Sequence, residues 1–205
     1  DIHLYGQHYF DDPSGMEFYN LPDGLYGIQV NIPHFSFISK IVFEYVYTKD
    51  QSGPIHYITF DHSEYPGNGG GRDDYYNNEE YTTGISYFNR SIGSPLLTSP
   101  EYNQDGRLGF KNNRIRAWHI GINGYLSKQI AYRVLMTNSK GWCTPLKPFL
   151  KKPTDFSCVE KISYCHPRLE GWLFSGEVAT DQGSIYGDNL GFALSISKSG
   201  ILKKW

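Results

Sequence analysis

Residues 188–197 read DNLGFALSIS. Leu190, Phe192, Leu194 and Ile196 alternate with Asn189, Gly191, Ala193, Ser195 and Ser197. Successive side chains of a strand point to opposite faces, so this stretch has one oily face and one of polar or small residues. The same period recurs upstream. In Gly24–Ile32, Tyr26, Ile28, Val30 and Ile32 oppose Gly27, Gln29 and Asn31. In Ile38–Thr48, Ile41, Phe43, Tyr45 and Tyr47 oppose Lys40, Val42, Glu44 and Val46. Arg114–Leu126 sets Trp118, Ile120 and Ile122 against Ala117, His119, Gly121 and Asn123. Gln129–Ser139 sets Ile130, Tyr132, Val134 and Met136 against Gln129, Ala131, Arg133 and Thr137. Gly171–Thr180 sets Trp172, Phe174 and Val178 against Ser175, Glu177 and Ala179. Ile2–Tyr9 and Phe156–Tyr164 alternate less cleanly. Eight strands are expected.

Their connections are lopsided. Pro33–Phe37, Ser127–Lys128 and Cys165–Glu170 are short, whereas Phe10–Asp23, Lys49–Asn112, Lys140–Asp155 and Asp181–Gly187 all fall at the other end. Tight turns at one end and long loops at the other are the wiring of an outer-membrane β-barrel. Strands of about eleven residues, tilted by about 40–45°, rise about 25 Å, the height of such a barrel's apolar band. Tyr26, Tyr45 and Tyr47 fall near the long-loop end and Tyr125, Tyr132, Tyr164 and Trp172 near the other, as two interfacial belts require. The fold expected is therefore all-β, an antiparallel transmembrane β-barrel of about eight strands. It is a single unit over 1–205 with one long extracellular loop at about 49–112. A soluble β-sandwich with charged residues facing water gives the same alternation.

Bulk composition agrees with a barrel without requiring one. The chain has 205 residues, 16% of them aromatic, including 17 Tyr. No run of eighteen apolar residues exists for a membrane helix. Mean hydropathy is −0.48, which barrel strands tolerate because only one face is apolar. A net charge of −2 gives no field that would gather nucleic acid. Cys143, Cys158 and Cys165 form no zinc pattern, and Cys143 and Cys158 flank one expected hairpin loop, where a disulfide could form in an oxidising compartment.

The stretches HLYGQHYF (His3–Phe10), DGLYGIQ (Asp23–Gln29), ISKIVFEYVYTKDQSGP (Ile38–Pro54), NNRIRAWHIGINGYL (Asn112–Leu126) and NSKGWCTP (Asn138–Pro145) resemble the C-terminal portion of the capsule assembly Wzi family. The resemblance implies a larger outer-membrane barrel of about eighteen strands, of which this chain supplies the C-terminal part. It also implies a lectin-like, non-catalytic role in attaching capsular polysaccharide to the surface of a Gram-negative bacterium. The partners it implies are that polysaccharide and outer-membrane lipid. Oligomeric state is left open, and no family site motif carries across residue by residue.

Catalytic signatures are missing. GNGGGR (Gly67–Arg72) lacks the ending of a phosphate-binding loop. His56, Asp61, His62 and Glu64 match no metal spacing, and Asp73, Asp74, Glu79 and Glu80 lack the ligand rhythm of a calcium loop. Nothing singles out a pair of carboxylates for glycoside cleavage. No enzyme, metal or cofactor is expected. Binding is better represented. Tyr75, Tyr76 and Tyr81 crowd the longest loop with Tyr87 and Phe88, offering rings to sugar faces. Arg107, Lys111, Arg114 and Arg116 on its return arm, with Trp142 and Lys147 in the next loop, suit an acidic polysaccharide. Lys40, Glu44, His119, Arg133 and Glu177 would face the lumen. That gives the first alternative, a porin-like channel. A secreted sandwich that binds or cleaves glycans is the second.

Overall fold

The computed structural model describes residues 1–10, 13–16, 18, 20–33, 36–51, 73–78, 80–144 and 151–200. Ten strands form in chain order: β1 (Ile2–His8), β2 (Gly24–Asn31), β3 (Lys40–Tyr47), β4 (Ser86–Tyr87), β5 (Arg90–Ser91), β6 (Ile115–Tyr125), β7 (Ile130–Gly141), β8 (Thr154–Cys165), β9 (Trp172–Gly183) and β10 (Asn189–Lys198). A four-residue helical turn at Pro13–Met16 and a 3-10 turn at Pro100–Tyr102 complete the described elements. No described helix is long and apolar enough to cross a membrane.

Eight strands make one antiparallel sheet in the order β1-β2-β3-β6-β7-β8-β9-β10. Every neighbour in space is the next long strand in sequence, as expected of an up-and-down meander. β4 and β5 form a separate two-stranded hairpin. The barrel expected from the sequence is not closed by these strands. Among the described residues β1 pairs only with β2 and β10 only with β9, leaving two open edges.

Register carries the alternation across the whole sheet. One row runs Val30, Ile41, Ile122, Val134, Glu160, Val178 and Phe192. The row beside it runs Ile28, Phe43, Ile120, Met136, Cys158, Thr180 and Leu190. These rows belong to one apolar face, and that face is uncovered: Leu4 is 77% exposed, Phe192 74% and Leu194 91%. Glu160 is the one charge in the middle of it. Its place there explains why β8 alternates poorly in the sequence.

The opposite face is polar. Lys40, Asn123, Arg133, Lys161 and Glu177 form one of its rows, and Glu44, His119, Thr137, Ser157 and Asp181 another. The five residues expected to face a lumen thus share one face. Within it Tyr5 donates to Glu44 Oε1 at 2.5 Å, His119 Nδ1 lies 2.7 Å from Thr137 Oγ1, and Lys161 pairs with Glu177 at 3.5 Å. Tyr5 reaches Glu44 by passing over Gly27, where a Cβ would lie 2.2 Å from the Tyr5 ring. Gly27 therefore serves a close approach, not a turn.

The core sits at the long-loop end of the polar face. Val46, Ile115 and Ala117 from the sheet pack against Leu97 and Phe110 from the 73–112 segment, flanked by Leu25, Tyr76 and Leu96. The same segment reaches the β9–β10 connection. Tyr186 donates to the carbonyl of Pro95 at 3.1 Å, and its ring meets Tyr102 edge-on at 5.0 Å. Strands lie about 4.8 Å apart, so β2 and β9 are about 24 Å apart in a flat sheet. The residues around Pro95 and Leu97 touch groups belonging to both flanks, so this segment lies across the polar face from one to the other.

The connections divide as expected. Residues 9–23, 48–114, 142–153 and 184–188 join strands at one end, and 32–39, 126–129 and 166–171 join them at the other. Aromatic rings border the apolar face at both ends. Tyr26, Tyr45 and Trp118 share a row at the long-loop end, with Tyr47 one row beyond and stacked on Tyr45 at 6.4 Å. Tyr132, Tyr164, Phe174 and Trp172 border the other end, where Tyr132 packs on Phe37 and Trp172 on Phe174. Tyr125 is at that end too, but its register with Ala131 puts it on the polar face. The three thiols are free, so the Cys143–Cys158 disulfide is not made: Cys143 is buried in the long-loop end and Cys158 belongs to the apolar face.

Candidate functional site at the long-loop end

The long-loop end rests on a buried polar network. Asp23 precedes β2 with its side chain fully buried, and its carboxylate accepts the backbone N–H groups of Asp50 at 2.9 Å and Gln51 at 2.8 Å. Burial raises its pKa, and those two N–H donors work against the rise. The Gln51 amide donates to the carbonyls of Thr48 at 3.0 Å and Asn113 at 3.3 Å. The Asn113 amide in turn donates to Asp74 Oδ1 at 2.5 Å and the Tyr75 carbonyl at 2.7 Å. Thr48 bridges the strands below, donating to the Asn113 carbonyl and accepting from Ile115 N–H. Both ends of the 52–112 excursion are thus tied to each other and to β2. Asn112 adds a second tie: it donates to Thr98 Oγ1 at 3.0 Å and occupies the space over Gly141, where a Cβ would be 2.3 Å from its Oδ1.

Above this foundation the expected residues divide into three groups. Tyr75 and Tyr76 turn inward. Tyr75 is 6% exposed and its hydroxyl accepts from Asn20 Nδ2 at 2.7 Å. Burial and the nearby Asp23 carboxylate raise its pKa, which keeps the phenol protonated. Tyr76 takes a left-handed backbone (φ 70°), stacks edge-on with Phe110 at 5.1 Å and accepts Ser94 N–H at 3.1 Å. Both rings line a cavity of about 750 Å³ between the loop and the polar face, whose floor includes Glu44, His119 and Thr137. They are structural supports and cavity walls, not outward sugar platforms.

Tyr81 belongs to the second group, which points to solvent at 68% exposure. Beside it in sequence the β4–β5 hairpin turns at Phe88 and Asn89, both with positive φ (47° and 62°), the backbone of a two-residue primed turn. The turn holds Tyr87 at 70% and Phe88 at 82% exposure with their rings edge-on at 4.6 Å. Arg90 anchors the hairpin to Glu101 at 3.0 Å. Composition had marked these rings. That they stand on a hairpin was not legible, because Phe88 is a poor residue for a left-handed turn.

The cations make the third group, and they do not form one rim. Arg107 and Lys111 both pair with Asp105, Arg107 at 3.6 Å. Lys111 and Arg107 N–H hold the Asp105 carboxyl below its ordinary value. Arg114 donates through Nε to the Lys49 carbonyl at 3.0 Å. Arg116 joins a different set, the one around Trp142. Lys49 Nζ lies 4.3 Å from the indole centre, Lys152 Nζ 5.6 Å, Lys140 Nζ 5.7 Å and the Arg116 guanidinium carbon 5.8 Å. Lys49 and Lys140 were missed in the sequence because each marks a strand boundary; it is the observed register that puts Arg116 and Lys140 on the apolar side. Lys147, His56, Asp61, His62, Glu64, Glu79 and the 67–72 glycine run lie outside the described residues.

No family model matches this chain, and no curated protein or solved structure matches it.

Proposed function

We propose that the chain is part of the wall of an outer-membrane β-barrel that holds surface polysaccharide at its outer end by non-covalent contact, in the manner of the capsule assembly proteins its sequence resembles. One observation carries the membrane half of this reading. Most of the large exposed apolar side chains of the sheet, Leu4, Tyr26, Phe43, Ile162, Val178 and Leu194 among them, share a single face framed by two aromatic belts, while Tyr5, Tyr125 and Leu173 lie on the other. In water such a face is an aggregation hazard, whereas in lipid it is the required surface. A sandwich would press this face on a second sheet, and the one other sheet among the described residues is the β4–β5 pair. The two open edges fit a wall completed by further strands, because unpaired backbone groups cost several kcal/mol each in hydrocarbon. Glu160 is the feature least suited to lipid, and a carboxylate is the cheaper of the charges to place there.

The polysaccharide half rests on the outer hairpin. Tyr81, Tyr87 and Phe88 present bare rings to solvent, where sugar faces can stack. The test is retention of capsule on cells carrying Tyr87→Ala with Phe88→Ala. Surface-bound capsule should fall several-fold while the protein's amount in the outer membrane holds. Unchanged retention would remove the hairpin from the account.

The charged rows of the polar face favour a second reading, a channel. Planar-bilayer conductance separates the two. An anchor occluded by the 73–112 segment passes little current, and opening should follow deletion of Gly53–Pro100 only if that segment is the plug.

A further inference from the structure

Trp142 is ringed by four cationic groups, all within 6 Å of its indole centre, on the lipid side of the sheet. Their placement follows from the ladder. Tyr47, Arg116 and Lys140 are register partners on the apolar side. The β6–β7 pairing continues past Ile115, with Trp142 N–H donating to the Arg114 carbonyl and Arg114 N–H to Cys143, so Trp142 falls one step beyond Lys140 on the same side. Lys49 stands two residues past Tyr47 and lies over its ring at 5.4 Å. The cluster is thus one to two rows outside the Tyr45–Trp118 belt, at the depth where a bilayer's headgroups begin.

Like charges packed this closely repel, and no carboxylate among the described residues pairs with them. None of the four enters an ion pair among the described residues. The acidic group that favours the charge on Lys49 is Asp23, buried and already bonded to two backbone N–H groups. Burial, Arg114, Arg116 and Lys152 together push the Lys49 pKa down. The indole face attracts cations but carries no net charge of its own. An arrangement of this kind is completed by an anion of high charge density, and phosphate is met both by lysine point charges and by an arginine fork.

We propose that Lys49, Arg116, Lys140 and Lys152, gathered on Trp142, form a binding site for the phosphate groups of an outer-leaflet glycolipid headgroup. The inference rests on the membrane reading above, and it goes beyond it by giving the barrel wall a specific lipid. Position argues for lipid over capsule: the cluster is on the outward, apolar side, whereas the exposed aromatic hairpin belongs to the segment packed on the polar side. Long lysine stems can lie along Trp142 and Tyr47 while their ammonium groups reach the headgroup layer.

The test uses the full protein in phosphatidylcholine vesicles with and without diphosphorylated lipid A, reading retained lipid A per protein after detergent exchange. Lys49→Gln with Lys140→Gln and Lys152→Gln should retain at least tenfold less lipid A than the parent. Insertion into pure phosphatidylcholine and retention of acidic polysaccharide should be unchanged. The single variant Lys152→Gln, on an exposed side chain outside the strands, should lose about threefold without touching the fold. Equal retention by parent and both variants overturns the site. Complete displacement of lipid A by millimolar inorganic phosphate overturns the lipid assignment, as does loss of polysaccharide retention with lipid A unaffected. If the parent fails to insert into pure phosphatidylcholine, the membrane reading itself is overturned, a result distinct from the others.

Discussion

The two faces of the sheet are built from the same strands and obey opposite rules. On the polar face Glu44, His119, Thr137, Lys161 and Glu177 meet partners, and one end is covered by a loop with its own small core. The apolar face has no covering layer among the described residues, and its edge is the barest part: Leu190, Phe192, Leu194 and Ile196 of β10 are 62%, 74%, 91% and 65% exposed. On the membrane reading proposed above, this is the arrangement a sheet takes when lipid wets one of its faces. The difference says that the polar face was the one in need of internal partners, and that the solvent of the apolar face is expected to supply the contacts that the protein does not.

That comparison can be broken most forcefully with a charge. Leu194→Arg places a guanidinium near mid-height of the apolar face and should cost about 2–4 kcal/mol of membrane-folded stability. Ser195→Arg, one residue on and facing the other way, should stay within about 0.5 kcal/mol. Folding titrations with urea in vesicles check both, and equal costs would mean the faces are not in different solvents.

The polar face is tested next at its foundation. Asn113→Ala removes the amide that ties Asp74 and Tyr75 to the strand end, leaving buried acceptors unmet. A loss of about 2–3 kcal/mol is expected, with faster proteolysis within 73–112 as a second readout. A loss below measurement would show that the loop is held by its apolar core alone.

A smaller effect sharpens the comparison. Glu160 stands between Val134 and Val178 on the apolar face. If lipid is the solvent there, Glu160→Leu should raise stability in vesicles by about 1 kcal/mol. A fall would point to a cationic partner at that spot. The smallest effect is at the Asp105 ion pair. Its carboxyl is held below the ordinary 3.8 by Lys111 and Arg107. A carboxyl lowered by folding contributes stability that is present above its unfolded value and fades as pH falls through the lowered one. Local protection of residues 103–111 in hydrogen exchange should therefore weaken only below about pH 4, and Asp105→Asn should abolish that dependence.

The strands were legible because each oily residue is two positions from the next, a signal that survives in any solvent. β1 and β8 were the less clean ones, and for β8 register explains it: Glu160 occupies a row otherwise filled by Val, Ile and Phe. The grouping of connections into two ends was legible for the same reason, since in a meander successive connections alternate between the ends. The candidate site was less legible. Tyr75 and Tyr81 look alike in sequence, yet one is held under Asn20 and Asp23 and the other stands in solvent. Only contacts thirty or more residues apart make that distinction. Arg107 and Arg116 were grouped by charge, and the fold separates them, one to Asp105 and the other to Trp142. Sheet closure was not readable from alternation, which is local to each strand, and the unpaired edges of β1 and β10 show that these eight strands do not supply it.

The most direct measurement is a nitroxide scan of residues 190–196, one label at a time, in protein reconstituted into vesicles, comparing collision with oxygen and with a water-soluble nickel reagent. Labels at 190, 192, 194 and 196 should collide with oxygen and be shielded from nickel, and those at 191, 193 and 195 should not share that signature. Nickel reaching both sets equally, or no alternation at all, would contradict the placement of this face against lipid.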